Sequence, residues 1–81
     1  MSKTTGRELC QRLKDDELRK QNLDVNTDLK LRILDYLIES DLSDNKFELI
    51  LHARLADPDP AKQESKHICA DILREWENRS D

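Results

Sequence analysis

Gly6 is the only glycine in this chain of 81 residues, and Pro58 and Pro60 are its only prolines. Glycine supplies the left-handed backbone that tight turns between strands require. With one glycine, a chain cannot build the many short turns of an all-β sandwich or barrel, nor a collagen helix or a flexible linker. Its length must go into a few long elements joined by turns of Asp, Asn, Ser and Pro. The spacing of the apolar residues says that these elements are helices.

The last element is the clearest. Ile68, Cys69, Ile72, Leu73 and Trp76 recur at helical spacing, with Glu64, His67, Asp71, Arg74 and Glu75 off that stripe. Asp57-Pro58-Asp59-Pro60 ends whatever precedes it, because proline disfavours helix in the residue before it. Asp59 followed by Pro60 is also a cap with a first-position proline. Upstream, Phe47, Ile50, Leu51 and Leu55 share one side, widened by Leu49 and Ala53. Ser43 or Asp41 is placed to cap that helix. Between residues 23 and 33 two periods compete. Leu23, Val25, Thr27, Leu29, Leu31 and Ile33 alternate as a strand would. Leu34, Leu37 and Ile38 break the alternation, and Asn26-Thr27-Asp28 is a helix-start signal, so a helix is the reading adopted. Leu9 and Leu13 place a sparser helix near the start, and Leu18 points elsewhere. The expectation is one small all-α domain over 6–81, after a flexible tail at 1–5. Its four helices lie at about 6–20, 27–40, 44–56 and 60–78.

Between Leu9 and Trp76 the chain has 22 large apolar residues, thirteen of them between Leu29 and Leu55, and none lies between Asp57 and His67. The remainder is polar: 40% of the chain is Asp, Glu, Lys or Arg. No run approaches the ~18 uninterrupted apolar residues of a membrane span. The first residues, Met1 to Glu8, have no apolar signal core. A cytoplasmic protein is expected. A domain of this size has little stability in reserve, so self-association or a protein partner is expected too.

Chemistry-bearing motifs are scarce. Cys10, His52, His67 and Cys69 lack the paired spacing of a zinc site, and His67 and Cys69, two residues apart on a helix, face nearly opposite ways. Cys69 lies in the apolar stripe and reads as a small buried hydrophobe. A Cys10–Cys69 disulfide would staple the first helix to the last, but nothing in the chain signals an oxidising compartment. His52 pairs most simply with Glu48 one turn earlier. No nucleophile elbow, phosphate-binding loop or metalloprotease motif occurs. No catalytic residue, metal or cofactor is expected, and four short helices leave little room for a substrate pocket.

Ser40-Asp41-Leu42-Ser43-Asp44 between two helices also has the form of a helix-turn-helix. Its second helix would begin Asp44-Asn45-Lys46-Phe47-Glu48, with two acids where base-reading residues should stand. Residues 41–81 hold ten acidic and six basic residues, which accounts for the whole net charge of −4. Only Lys3 to Lys20 is mildly basic, giving Arg7, Arg12, Lys14, Arg19 and Lys20 as candidate phosphate contacts.

Two resemblances to small acidic helical families stop short of an assignment. Asp41-Leu42-Ser43-Asp44 resembles the modified-serine site of acyl carrier proteins with two letters exchanged, but the Asp-Ser order is absent. Ile72-Leu73-Arg74-Glu75-Trp76 resembles the final helix of nuclease-colicin immunity proteins. The paired tyrosines that precede it there are missing, since Tyr36 is the only tyrosine.

The expected function is therefore non-catalytic: a small protein-binding or regulatory protein that presents helix faces to a protein partner or to a second copy of itself. The apolar arcs over 29–38 and 47–55 are wider than one packing contact needs. Tyr36, Leu37, Phe47, Leu51 and Trp76 are the candidate contact residues, because aromatic anchors dominate binding hot spots. For Trp76, a core position is the favoured alternative. A helix-turn-helix DNA-associated regulator is the second reading, and charge disfavours it.

Overall fold

The computed structural model describes residues 4–20 and 25–79. It contains four α-helices: α1 (Gly6–Leu18), α2 (Val25–Ser40), α3 (Asp44–Leu55) and α4 (Gln63–Glu77). A single 3-10 turn, Pro60–Lys62, leads into α4. No strand occurs among the described residues. The segment with competing periods is helical from Val25 onward, and Leu23 lies outside the described residues.

The starts of α1, α3 and α4 each have a chemical cause. Thr5 caps α1, its hydroxyl oxygen accepting the Glu8 N–H at 3.1 Å while the hydroxyl donates to the Glu8 carboxylate at 3.2 Å. The Thr-x-x-Glu pattern is that of a capping box, here closed through the Thr5 hydroxyl, and it anchors one residue that the sequence puts in the tail. At α3 the cap is Ser43, through its backbone alone: its carbonyl accepts from the Phe47 N–H at 2.8 Å. Asp41 turns the chain between α2 and α3 with φ of 46°. That is left-handed backbone at a position where glycine is usual and Asp is tolerated. Before α4, Asp57 accepts the Asp59 N–H and Asp59 accepts the Ala61 N–H, both at 3.0 Å. The cap at Asp59 and the proline at the first position are as expected, but the first turn is 3-10 and the α-helix begins at Gln63.

All four helices supply the core: Leu9 and Cys10 from α1, Leu34 and Leu37 from α2, Phe47 and Leu51 from α3, and Ile68, Cys69, Ile72, Leu73 and Trp76 from α4. The five α4 residues are the stripe read from the sequence. Trp76 is fully buried, its ring centroid 4.8 Å from that of Phe47 at an interplanar angle of 52°. Its indole N–H donates to Glu48 at 2.7 Å and Arg79 lies 3.5 Å over its ring. Glu48 therefore serves Trp76, where the sequence had paired it with His52. Gly6 packs directly on Phe47: a Cβ there would stand 2.6 Å from the ring.

The pairing of the helices is uneven. α1 runs along α2 and α3 runs along α4, while α4 makes smaller contacts with α1 and α2. The α2 and α3 backbones scarcely approach each other.

Candidate functional site

The poor approach of α2 and α3 leaves an open cleft of about 200 Å3 between them. Ile33 and Leu37 form one wall, Ile50 and Leu51 the other, and Cys69 of α4 lies in the floor. The rim is Arg32 and Tyr36 on α2 and Arg54 on α3. Local sequence explains this. Ile33 and Leu37 are one turn apart, as are Arg32 and Tyr36, so an apolar row and a polar-edged row run side by side along α2. On α3, Ile50 and Arg54 make the matching row. The Arg54 guanidinium sits 5.8 Å from the centre of the Tyr36 ring and spans the mouth.

Three of the five candidate contact residues meet in this cleft. Tyr36 stands on its rim and is 50% exposed, whereas Leu37 and Leu51 are buried in its walls. Phe47 and Trp76 are in the core against each other and reach no surface. The packing of α4 on α3 encloses both rings. Arg32, Ile33, Ile50, Arg54 and Cys69 were not singled out from the sequence. The Arg32/Tyr36 and Ile50/Arg54 spacings were visible there, but not which helix faces would stand opposite each other. Leu49, 68% exposed, is a further apolar residue on the outer side of α3.

The basic residues of the first segment are mostly engaged internally. Arg7 pairs with Asp41 at 3.8 Å, Lys14 with Asp35 at 2.6 Å, Arg19 with Asp16 at 3.9 Å and Lys20 with Glu17 at 2.9 Å. The hydrogen bond to Asp35 raises the Lys14 pKa. Arg12 is exposed on α1 and makes no ion pair among the described residues. Glu17 is nearly buried and receives both Lys20 and Lys30, the latter at 3.0 Å. Burial alone would raise its carboxyl pKa; the two ammonium groups outweigh it and hold the group below its usual value. This cluster ties the end of α1 to α2 beside a polar depression that Asp71 and Glu64 of α4 also border.

Both cysteines are free and buried. Burial pushes the Cys10 thiol up to about 12. It raises the Cys69 thiol as well, partly opposed by the positive charge of Arg54. Thiols held protonated are poor nucleophiles. His52 and His67 are exposed, and among the described residues no three His, Cys, Asp or Glu side chains converge to hold a metal ion. No described helix is long and apolar enough to cross a membrane. Comparison with models of protein families, with curated proteins and with solved structures finds no match to this chain. The assignment that stands is to a class of architecture, a small four-helix all-α domain.

Proposed function

We propose that the chain is a small protein-binding or regulatory protein without catalytic activity, and that it takes an apolar anchor of a partner protein into the α2–α3 cleft. The observation that carries this reading is the cleft itself. Two helices rich in Leu and Ile stand apart over an apolar floor, with an exposed tyrosine at the edge. A water-facing apolar recess with a polar rim is the form a docking pocket takes. The holding of Lys14 by Asp35 and of Lys20 by the nearly buried Glu17 favours a protein partner over DNA, because phosphate binding draws on cations that are free to exchange their counterions. The same reading puts the protein in the cytoplasm, where thiols such as those of Cys10 and Cys69 stay reduced.

Site-specific photo-crosslinking tests the reading. A benzophenone amino acid at Tyr36 should give a discrete adduct with one protein in cells. The same group at His67, across α4 from Cys69, should not. No adduct at Tyr36, or equal labelling from both positions, would sink the docking site. A shift of bulk duplex DNA at low salt would favour the helix-turn-helix alternative instead.

A further inference from the structure

We infer that the cleft recognises an acidic partner segment: a stretch of another protein that inserts one Leu- or Phe-sized side chain between α2 and α3 and lays carboxylates against Arg54 and Arg32. This inference rests on the docking reading and adds the partner's chemistry.

Size comes first. An apolar cavity of about 150 Å3 accepts a benzene ring, whereas pockets for drug-sized ligands run to about 300–1,000 Å3. At about 200 Å3, the cleft holds one ring or one branched side chain. That is the scale of a single anchor residue, too small for a cofactor.

Charge comes second. The chain carries −4 overall, yet no Asp or Glu lines the cleft, while Arg32 and Arg54 both do. Among the described residues Arg54 has no carboxylate partner and rests on the Tyr36 ring. Arg32 shares Asp28 at 3.0 Å, but both side chains are mostly exposed. Such surface pairs are worth only about 0–1 kcal/mol, so a partner carboxylate exchanges into one readily. The rim is thus locally positive on an acidic protein.

Charge also disfavours a second copy of this chain. In a twofold contact across the cleft the same patch meets itself. The patch carrying Arg32 and Arg54 would meet a second copy of that patch, and like charges brought together oppose association.

The test titrates the full-length chain, labelled with nitrogen-15, with three capped synthetic peptides. One has Glu residues flanking a central Phe, one has Lys in place of Glu, and one has Glu with the Phe replaced by Ala. The Glu/Phe peptide should shift the amide signals of Ile33, Tyr36, Leu37, Ile50 and Leu51. It should bind on the order of tenfold or more tightly than the Lys/Phe peptide, and the Ala peptide should lose binding. Arg54→Glu changes an exposed side chain, leaves the fold intact and should reverse the preference. Equal binding of both Phe peptides at the cleft would overturn the acidic preference and leave the docking site standing. No binding of any peptide, or shifts only outside the cleft, would overturn both. Displacement of the Glu/Phe peptide by decanoate at similar concentration would assign the cleft to a fatty carboxylate and overturn the protein partner. A dimer by sedimentation that the Glu/Phe peptide does not dissociate would assign it to a second copy.

Discussion

Adding one methyl group at Gly6 should destabilise this protein, although alanine is the better helix former. Gly6 is the first residue of α1, and replacing glycine by alanine inside a helix gains up to about 1 kcal/mol, less at an end. Against this stands the space. The new Cβ would lie 2.6 Å from Cδ2 and 2.8 Å from Cγ of Phe47. These are ring atoms close to their own backbone, so a change of rotamer at a flexible tip cannot relieve the overlap. Nor can the ring retreat. Phe47 is 1% exposed and backs onto Trp76, which is fixed in turn by the hydrogen bond to Glu48 and by Arg79 over its ring. Overpacking of this kind costs about 1–3 kcal/mol. The expected net loss for Gly6→Ala is about 1–2 kcal/mol, since the helix gain offsets part of it.

Urea denaturation followed by the fluorescence of the single tryptophan measures that loss directly. The melting temperature should fall by about 4–8 °C for each kcal/mol. A second substitution separates the clash from any other effect. Phe47→Leu alone should cost on the order of 1 kcal/mol and frees space beside Gly6. In the double variant the clash disappears, so the combined loss should be smaller than the sum of the single losses by about 1 kcal/mol. A stabilised Gly6→Ala variant, or strict additivity in the cycle, would refute the close approach of α1 to Phe47.

Three further outcomes follow from the charges and thiols. Glu48→Ala removes the acceptor of the buried indole N–H and should cost about 1–2 kcal/mol; Glu48→Gln keeps an acceptor and should recover most of that loss, and equal losses in urea titration would disprove the bond. Glu17→Gln should cost about 1–2 kcal/mol at neutral pH, given the exposure of Lys20. The Glu17 carboxyl pKa is lowered on folding from 4.5, so its contribution is present above that pH and is lost as pH falls through the folded value. The wild-type advantage should therefore shrink in acid, and one that persists at pH 2 would contradict the ion pairs. Native protein at pH 8 should react slowly with a thiol reagent at both cysteines, and more slowly at Cys10 than at Cys69, which borders the cleft and feels Arg54; mass spectrometry of partly labelled protein would show the order, and earlier labelling of Cys10 would be the contrary result.

The helices themselves were legible because their signals are local. The α4 stripe, the Asp57-Pro58-Asp59-Pro60 break and the Asp41–Ser43 turn are each read within a few residues, and each is where the sequence put it. The alternation from Leu23 to Ile33 misleads only when read alone. Leu29, Ile33 and Leu37 are also spaced by four, and burial selects that period. The Thr5–Glu8 pairing is equally local, but it is a polar signal that apolar periodicity does not carry. The site was half legible. Tyr36, Leu37 and Leu51 do share one cleft, but periodicity within a helix does not encode which helix it faces. Phe47 looks like an anchor in the sequence and proves to be internal because α3 pairs with α4, and Trp76 takes the core position favoured for it. The arginines were missed for the same reason: they become a rim only once α2 and α3 stand side by side.

That arrangement also resolves an apparent conflict between an acidic protein and an acidic partner. The carboxylates of α4 are turned elsewhere. Glu64 and Asp71 border the depression beside Glu17 and Lys30, and Asp71 and Glu75 border another beside Leu13. The molecule measures 38 × 33 × 22 Å, while charges at physiological ionic strength are felt over about 8 Å. A ligand at the α2–α3 mouth therefore responds to Arg54 and to Arg32 with its partner Asp28, and hardly to the net charge. The excess acid after residue 40 adds a repulsion between like molecules in solution. On the proposed reading, the arginines on the cleft side set what is admitted there. Both follow from one feature of the packing: α4 covers the core from one side and leaves α2 and α3 unpaired on the other.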